Sequence, residues 1–109
     1  MKDFKWNQRE KLIARAAYDK AFKNECNHII STLSEKVSNI TEPKGIWEIA
    51  DYLNDKRKEI FQKYDYRYSA LIRVFGVLVC EGWIQIKDLV GLEEAKLLRI
   101  QDIATYLNE

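Results

Sequence analysis

Apolar residues recur at steps of three and four along the first third of the chain, the spacing of one face of an amphipathic α-helix. The pattern runs from Gln8 to Ile40 without a proline or a glycine. Its apolar positions are Leu12, Ile13, Ala16, Ala17, Ala21, Phe22, Cys26, Ile29, Ile30, Leu33, Val37 and Ile40. Such a helix would extend about 50 Å, more than a domain of this size covers with its own core. We therefore predict that a second copy packs against the surplus stripe as in a coiled coil. The predicted dimer contacts on this helix are Phe22, Ile29, Leu33 and Val37.

Residues 38–45 interrupt the pattern with polar residues, a proline and a glycine. Thr41 is the expected N-cap of the next helix, and Pro43 fits its first turn, where the missing N–H is harmless. This second helix is predicted to run to about Lys63. At about 100° per residue, its apolar residues form one stripe. They are Ile46, Ile49, Leu53 and Ile60. Ile46 is a further predicted dimer contact.

Trp47 does not belong to that stripe, because it lies about 130° from the stripe's centre on a helical wheel. Polar and charged residues surround it on the same face or at its edge. They are Asp51, Asn54, Arg57 and Lys58. A large aromatic residue among charges of both signs is typical of an interaction hot spot. We predict that these five residues bind a protein partner. The alternative is that the first helix or the C-terminal part of the same chain covers Trp47.

The C-terminal half begins with an aromatic-rich connection at residues 64–68, in which Asp65 is a possible helix cap. The run from Ser69 to Cys80 is almost entirely apolar, and its length together with Gly82 as a C-cap favours a buried helix over a strand. A turn at residues 87–90 leads to a last helix at about 92–107. We predict an all-α single domain, 1–109, with a long-helix dimerisation part (1–64) and a small C-terminal helical part (65–109).

Composition and charge support a folded protein without a general affinity for polyanions. Of the 109 residues, 47% are hydrophobic, and the formal net charge is +1. Residues 78–92 and the closing helix loosely resemble a helix-turn-helix unit, so DNA binding is an alternative. However, Glu93 and Glu94 would then face the phosphates, which is electrostatically unfavourable. Packing within a helical subdomain is the simpler interpretation, and the residues expected on its packing face are Leu92, Ala95, Leu98 and Ile103.

The sequence carries no pattern typical of catalysis or of cofactor binding. His28 is the only histidine, and at i, i+2 it points away from Cys26 on a helix. Cys26 and Cys80 are too few for a zinc site or a disulfide framework, and we expect both to be free, buried thiols in a reducing compartment. The first residues carry charges but no apolar core segment, so we do not expect a signal peptide, and no apolar run is long enough to cross a membrane. We expect a cytoplasmic, non-enzymatic protein without a cofactor.

The second helix and the segment after it closely resemble the cyanobacterial fluorescence recovery proteins. The resemblance is specific over residues 46–99 and extends to the first helix only in pattern. It rests on Ile46-Trp47, Asp51-Tyr52-Leu53, Lys56-Arg57, Glu59-Ile60, Lys63-Tyr64-Asp65-Tyr66-Arg67-Tyr68-Ser69, Val74-Phe75, Leu78-Val79 and Glu81-Gly82. The resemblance implies an all-α homodimer that binds the photoactivated orange carotenoid protein, mainly through that protein's C-terminal domain. Such a regulator speeds the return to the orange form and restores fluorescence of the phycobilisome, at the cytoplasmic face of thylakoids.

The resemblance also implies roles for particular residues. The family's patch of Trp, Asp and Arg falls on Trp47, Asp51 and Arg57, and a basic position of its last helix falls on Arg99. This chain departs from the family pattern at two positions. A residue that is often His is Ala50 here, and an aromatic position of the buried helix is Arg73. A dimeric helical protein with a different signalling partner is therefore the alternative function.

Overall fold

The structure, a computed structural model, describes residues 4–109. Within these residues, four α-helices follow one another, and a short 3-10 helix at Ile86–Leu89 precedes the last of them. The α-helices are α1 (Gln8–Ser38), α2 (Lys44–Lys63), α3 (Leu71–Glu81) and α4 (Glu94–Leu107). The molecule is elongated, with extents of 53 × 25 × 21 Å. The predicted all-α fold, with a long first helix and a small C-terminal helical part, is confirmed.

Helix α1 begins with a capping box. The side chain of Asn7 accepts a hydrogen bond from the backbone N–H of Glu10 (2.8 Å), and the Glu10 carboxylate accepts one from the backbone N–H of Asn7 (3.2 Å). These two bonds satisfy donors that the first turn of a helix leaves without a partner. This cap was not predicted from the sequence.

Two of the caps that were predicted from the sequence are wrong. Helix α2 begins after Pro43, without a side-chain cap, because turn bonds to the carbonyls of Glu42 and Pro43 occupy its first N–H groups instead of the Thr41 hydroxyl. Helix α3 begins after Ala70, also without a side-chain cap. Asp65 lies too far upstream for that role, and its carboxylate accepts hydrogen bonds from Arg67 instead. The predicted C-cap is confirmed, since Gly82 has the left-handed φ of 84° that glycine adopts readily.

The hydrophobic core lies where the first half of α1 meets α3, the 3-10 helix and α4. The buried hydrophobic side chains that α1 contributes are all alanines, which allow its neighbours to approach closely. The core residues are Ala14, Ala17, Ala21, Ala70, Leu71, Val74, Phe75, Leu78, Ile84, Leu89, Leu92 and Ile100. The packing face predicted for α4 is partly wrong, because Ala95 and Leu98 are exposed and Lys96 is buried in that face.

The far end of the α1–α2 hairpin has no core in the single chain. Among the described residues 26–59, none is buried, and the next buried residue is Ile60. Large apolar side chains of α1 are exposed there, including Ile30 at 61% and Val37 at 54%. We call residues 26–59 the hairpin tip.

Both cysteines are free, as predicted, but neither is fully buried. Cys26 and Cys80 are each half-buried, because they lie at the edges of the core. Burial nevertheless raises the pKa of the Cys26 thiol, and the neighbouring Glu25 carboxylate raises it further. The neutral thiol is therefore the favoured form of Cys26.

Candidate partner-binding face

Trp47 lies on the outside of α2, with 68% of its surface exposed. The alternative in which its own chain covers this residue is therefore wrong for the single chain. Asp51, Asn54, Arg57 and Lys58 are exposed as well. The guanidinium of Arg57 reaches only as far as the side-chain oxygen of Asn54, at 3.5 Å. This charged, solvent-facing surface around Trp47 is the α2 face.

The predicted dimer contacts are arranged along the hairpin with different degrees of exposure. Ile46 is 53% and Val37 54% exposed, whereas Ile29 and Leu33 are half-buried. Phe22 is 43% exposed and also packs edge-on against Tyr64, with ring centroids 5.2 Å apart. Phe22 therefore has a partner inside the chain, while Ile46 and Val37 remain largely open to solvent.

Arg99 lies on α4 and not on the hairpin. Its neighbour Ile100 is fully buried, so the backbone of α4 is fixed on the core while Arg99 itself is exposed. The structure thus brings five of the six predicted partner-binding residues together on α2 and places the sixth on a separate helix.

Arg73 is an exposed residue of α3 and not a charge within the core. Its guanidinium lies 4.0 Å from the Asp65 carboxylate, and 56% of its side chain is exposed. Arg67 donates to the same carboxylate at 2.8 and 3.0 Å. The two guanidinium groups hold the pKa of Asp65 below its ordinary value, with the Arg67 hydrogen bond as the main cause. The unexpected charge at position 73 is thus compatible with the fold.

A hydrogen-bonded network joins the end of α2 to α1 and α3. The ammonium of Lys63 lies 2.7 Å from Glu25 and 2.6 Å from Glu81. The hydroxyl of Tyr64 donates to the other oxygen of Glu25 at 2.8 Å. Burial would lower the pKa of Lys63, but the two carboxylates outweigh it and raise the pKa. Burial also raises the pKa of Tyr64, and Glu25 reinforces the effect. The network fixes the direction in which α2 leaves the core.

A second polar cluster, which we call the Glu10–Lys96 pair, ties α4 to the beginning of α1. The ammonium of Lys96 lies 2.9 and 2.8 Å from the two Glu10 oxygens and also donates to the carbonyl of Lys5. The Glu10 carboxylate additionally accepts from the backbone N–H of Glu93 at 2.9 Å. Burial would raise the pKa of Glu10, but these hydrogen bonds outweigh it and lower the pKa.

Sequence reasoning missed both clusters. The Asn7-x-x-Glu10 spacing was a signal for the cap, and Lys96 on an apolar helix stripe was a signal for a buried charge. Neither signal identifies the other partner, because the residues of each ion pair are far apart in the chain.

The fold and the α2 face define a class: a small all-helical protein with a solvent-facing aromatic and charged surface of the kind used in protein–protein recognition. Within residues 4–109, no group of three or more His, Cys, Asp or Glu side chains is placed to hold a metal ion. None of the helices in those residues is long and apolar enough to span a bilayer.

Comparison with known proteins identifies the family. The family described as photoprotection regulator fluorescence recovery protein matches residues 6–104. The fluorescence recovery protein of Synechocystis sp. PCC 6803 is 36% identical over 99 residues, which cover 91% of each chain. The chain belongs to the fluorescence recovery protein family.

Solved structures of this family have the same fold. The Fremyella diplosiphon fluorescence recovery protein superimposes with a TM-score of 0.87 at 37% identity, covering 93% of this chain and 99% of that one. The Synechocystis protein gives a TM-score of 0.88 at 36% identity with the same coverage. The predicted resemblance is thus confirmed over almost the whole chain, including α1.

Proposed function

We propose that this protein binds the photoactivated orange carotenoid protein, mainly through that protein's C-terminal domain, and accelerates its return to the orange form. Fluorescence of the phycobilisome is thereby restored. The observation that carries the proposal is the α2 face, where a family member exposes Trp47 to 68% among charged residues. An exposed tryptophan is costly to leave in water, and burying it against a partner recovers that cost.

Each residue of the face has a proposed role. Trp47 supplies apolar area. Arg57 makes a planar, two-point contact to a partner carboxylate, for which its guanidinium is available because its one contact, to Asn54, is weak at 3.5 Å. Asp51 and Lys58 set the orientation by charge, and Arg99 on α4 adds a contact outside the hairpin.

The proposed action is conformational and not enzymatic. A binding protein accelerates a relaxation only if it binds an intermediate more tightly than the starting red form, since equal affinity for both leaves the barrier unchanged. Proton transfer and a cofactor are not needed. In this role the protein works in the cytoplasm, next to the thylakoid surface that carries the antenna.

We also propose that the working form is a homodimer. The hairpin tip supports this, because none of the described residues 26–59 is buried in the single chain. A second copy would cover the apolar side chains of the tip, with Ile46, Phe22, Ile29, Leu33 and Val37 among the contacts. A dimer with two-fold symmetry would present the α2 face twice.

A second candidate function keeps the dimer but assigns a different signalling partner. Its support is the departure from the family pattern at Ala50 and Arg73, since the exposed guanidinium of Arg73 alters the charge of the surface beside Asp65. DNA binding has little support, because Glu93 and Glu94 lead into α4 while the nearby Lys96 is buried.

The deciding experiment is the dark relaxation of photoactivated orange carotenoid protein, with and without a stoichiometric amount of this chain. Acceleration is expected, and Trp47→Ala should reduce it while helix content stays unchanged by circular dichroism. No acceleration by a folded dimer would refute the proposal and favour the second candidate.

A further inference from the structure

Phe61 is an exposed aromatic residue at the other end of α2, and the partner-binding residues predicted from the sequence do not include it. With 75% of its surface exposed, it is more open to solvent than Trp47. Fourteen residues separate the two, which is close to four helical turns, so Phe61 lies only about 40° from Trp47 around the helix axis and about 21 Å along it. We propose that Phe61 is a second aromatic anchor of the α2 face. This inference rests on the proposed function of that face.

The position of Phe61 around the helix separates it from the apolar stripe of α2, in which Ile46 is a proposed dimer contact. The stripe's centre lies about 90° from Phe61 at 100° per residue. Its nearest stripe neighbour in sequence, Ile60, is buried inside the chain, whereas Phe61 is not. Between Trp47 and Phe61 the face carries Asn54 and Lys58, both exposed. Phe61 is thus continuous with the charged face and not with the apolar one.

The end of α2 that carries Phe61 is held more firmly than the end that carries Trp47. Ile60 is buried, and the next two residues after Gln62 are the network residues Lys63 and Tyr64, bonded to Glu25 at 2.7 and 2.8 Å. An aromatic side chain on a fixed helix end loses little further backbone freedom when it binds. Trp47, by contrast, lies within the hairpin tip.

The charges between the two aromatics run in a definite order. Asp51 is one turn from Trp47, while Arg57 and Lys58 are one turn from Phe61. A complementary partner surface would therefore offer two apolar pockets about 21 Å apart, with basic groups beside the first and acidic groups beside the second. This description fits one face of a folded protein domain better than a short flexible peptide, because the two pockets must keep a fixed distance.

The test is binding of photoactivated orange carotenoid protein to the intact protein and its variants, together with the dark relaxation rate. Phe61→Ala should weaken binding about fivefold or more, as expected for an aromatic anchor. Phe61→Leu should retain part of the affinity. The matched control is Glu59→Ala, at a position about 160° from Phe61 around the same helix. This change removes only an exposed ion pair with Lys56 at 3.2 Å. The affinity for the partner should therefore change less than about twofold.

The outcomes separate this inference from the proposed function. If Trp47→Ala weakens binding and Phe61→Ala does not, the second anchor is refuted while the proposed function stands. If neither variant weakens binding, the second anchor and the assignment of binding to the α2 face are both refuted, while acceleration of dark relaxation by the parent protein still decides the proposed function. Light scattering provides the remaining readout: Phe61→Ala should stay dimeric, and a shift to monomer would assign Phe61 to the dimer contact and overturn the inference.

Discussion

Replacing Lys96 by methionine tests whether the Glu10–Lys96 pair holds α4 on α1. The Lys96 side chain is 1% and the Glu10 side chain 5% exposed, so water cannot replace the lost ammonium. Methionine has a similar length and fills the space of the lysine stem. The main effect of Lys96→Met is therefore electrostatic. The Glu10 carboxylate is left buried, with backbone N–H groups as its remaining partners.

The size of the effect follows from that geometry. Removing one partner of a buried ion pair costs about 3–5 kcal/mol, because an uncompensated charge remains. The backbone N–H groups of Asn7 and Glu93 still donate to Glu10, so we expect the lower end, about 3 kcal/mol. Adding Glu10→Gln removes the stranded charge. The double variant should therefore lose less stability than the sum of the two single variants.

The measurement is urea unfolding of the four proteins at one fixed chain concentration, since association shifts apparent stability. The pH dependence supplies an independent check. Because the pKa of Glu10 is lowered in the folded protein, its stabilisation is present above the ordinary glutamate pKa and is lost as the pH falls through the lower, folded pKa. Lys96→Met should reduce this acid-dependent part. A loss below about 1 kcal/mol, or strictly additive single variants, would refute the pairing argument.

Three further changes test the fold and the assembly. Ile46→Glu places a charge on the apolar stripe of α2 and should convert the proposed dimer to a monomer, with helix content retained. Light scattering measures the mass, and an unchanged mass would contradict our dimer proposal. Gly76→Ala should destabilise the protein by about 1–3 kcal/mol in urea unfolding, because an added Cβ would lie 2.4 Å from Ile103 on α4. Unchanged stability would mean that α3 and α4 can move apart freely. Gly82→Ala should cost about 1 kcal/mol at the left-handed C-cap of α3, and thermal unfolding that matches the parent protein would contradict that cap assignment.

The sequence predicted the helices well because the signals that define them are local. Apolar periodicity placed α1 and α2, and Gly82 marked the end of α3, since a left-handed C-cap depends on a single residue. The helix-wheel position of Trp47 was enough to predict that its side chain faces away from the apolar stripe.

The errors have different physical causes. Thr41 was expected to cap α2, but backbone turn bonds satisfy the same donors, and a sequence pattern does not reveal which acceptor wins. Lys96 was not recognised as a core residue because its partner Glu10 is 86 positions away. Phe61 was not predicted as a binding residue because its position around the helix does not by itself show whether another part of the chain covers it. Long-range pairing and exposure both require the folded arrangement.

The lack of buried residues in the hairpin tip has a consequence for amide hydrogen exchange. Helical N–H groups exchange through local opening, and the free energy of opening is small where side chains have few contacts. In the single chain, residues 26–59 would therefore exchange quickly, while α3 and α4 stay protected by their shared core. Contacts with a second copy would slow exchange in the tip and in the adjoining turn of α1 that carries Phe22. Dilution of the protein should thus raise the exchange rates of the tip and leave those of α3 and α4 unchanged, so exchange in the tip reports whether a second copy is bound.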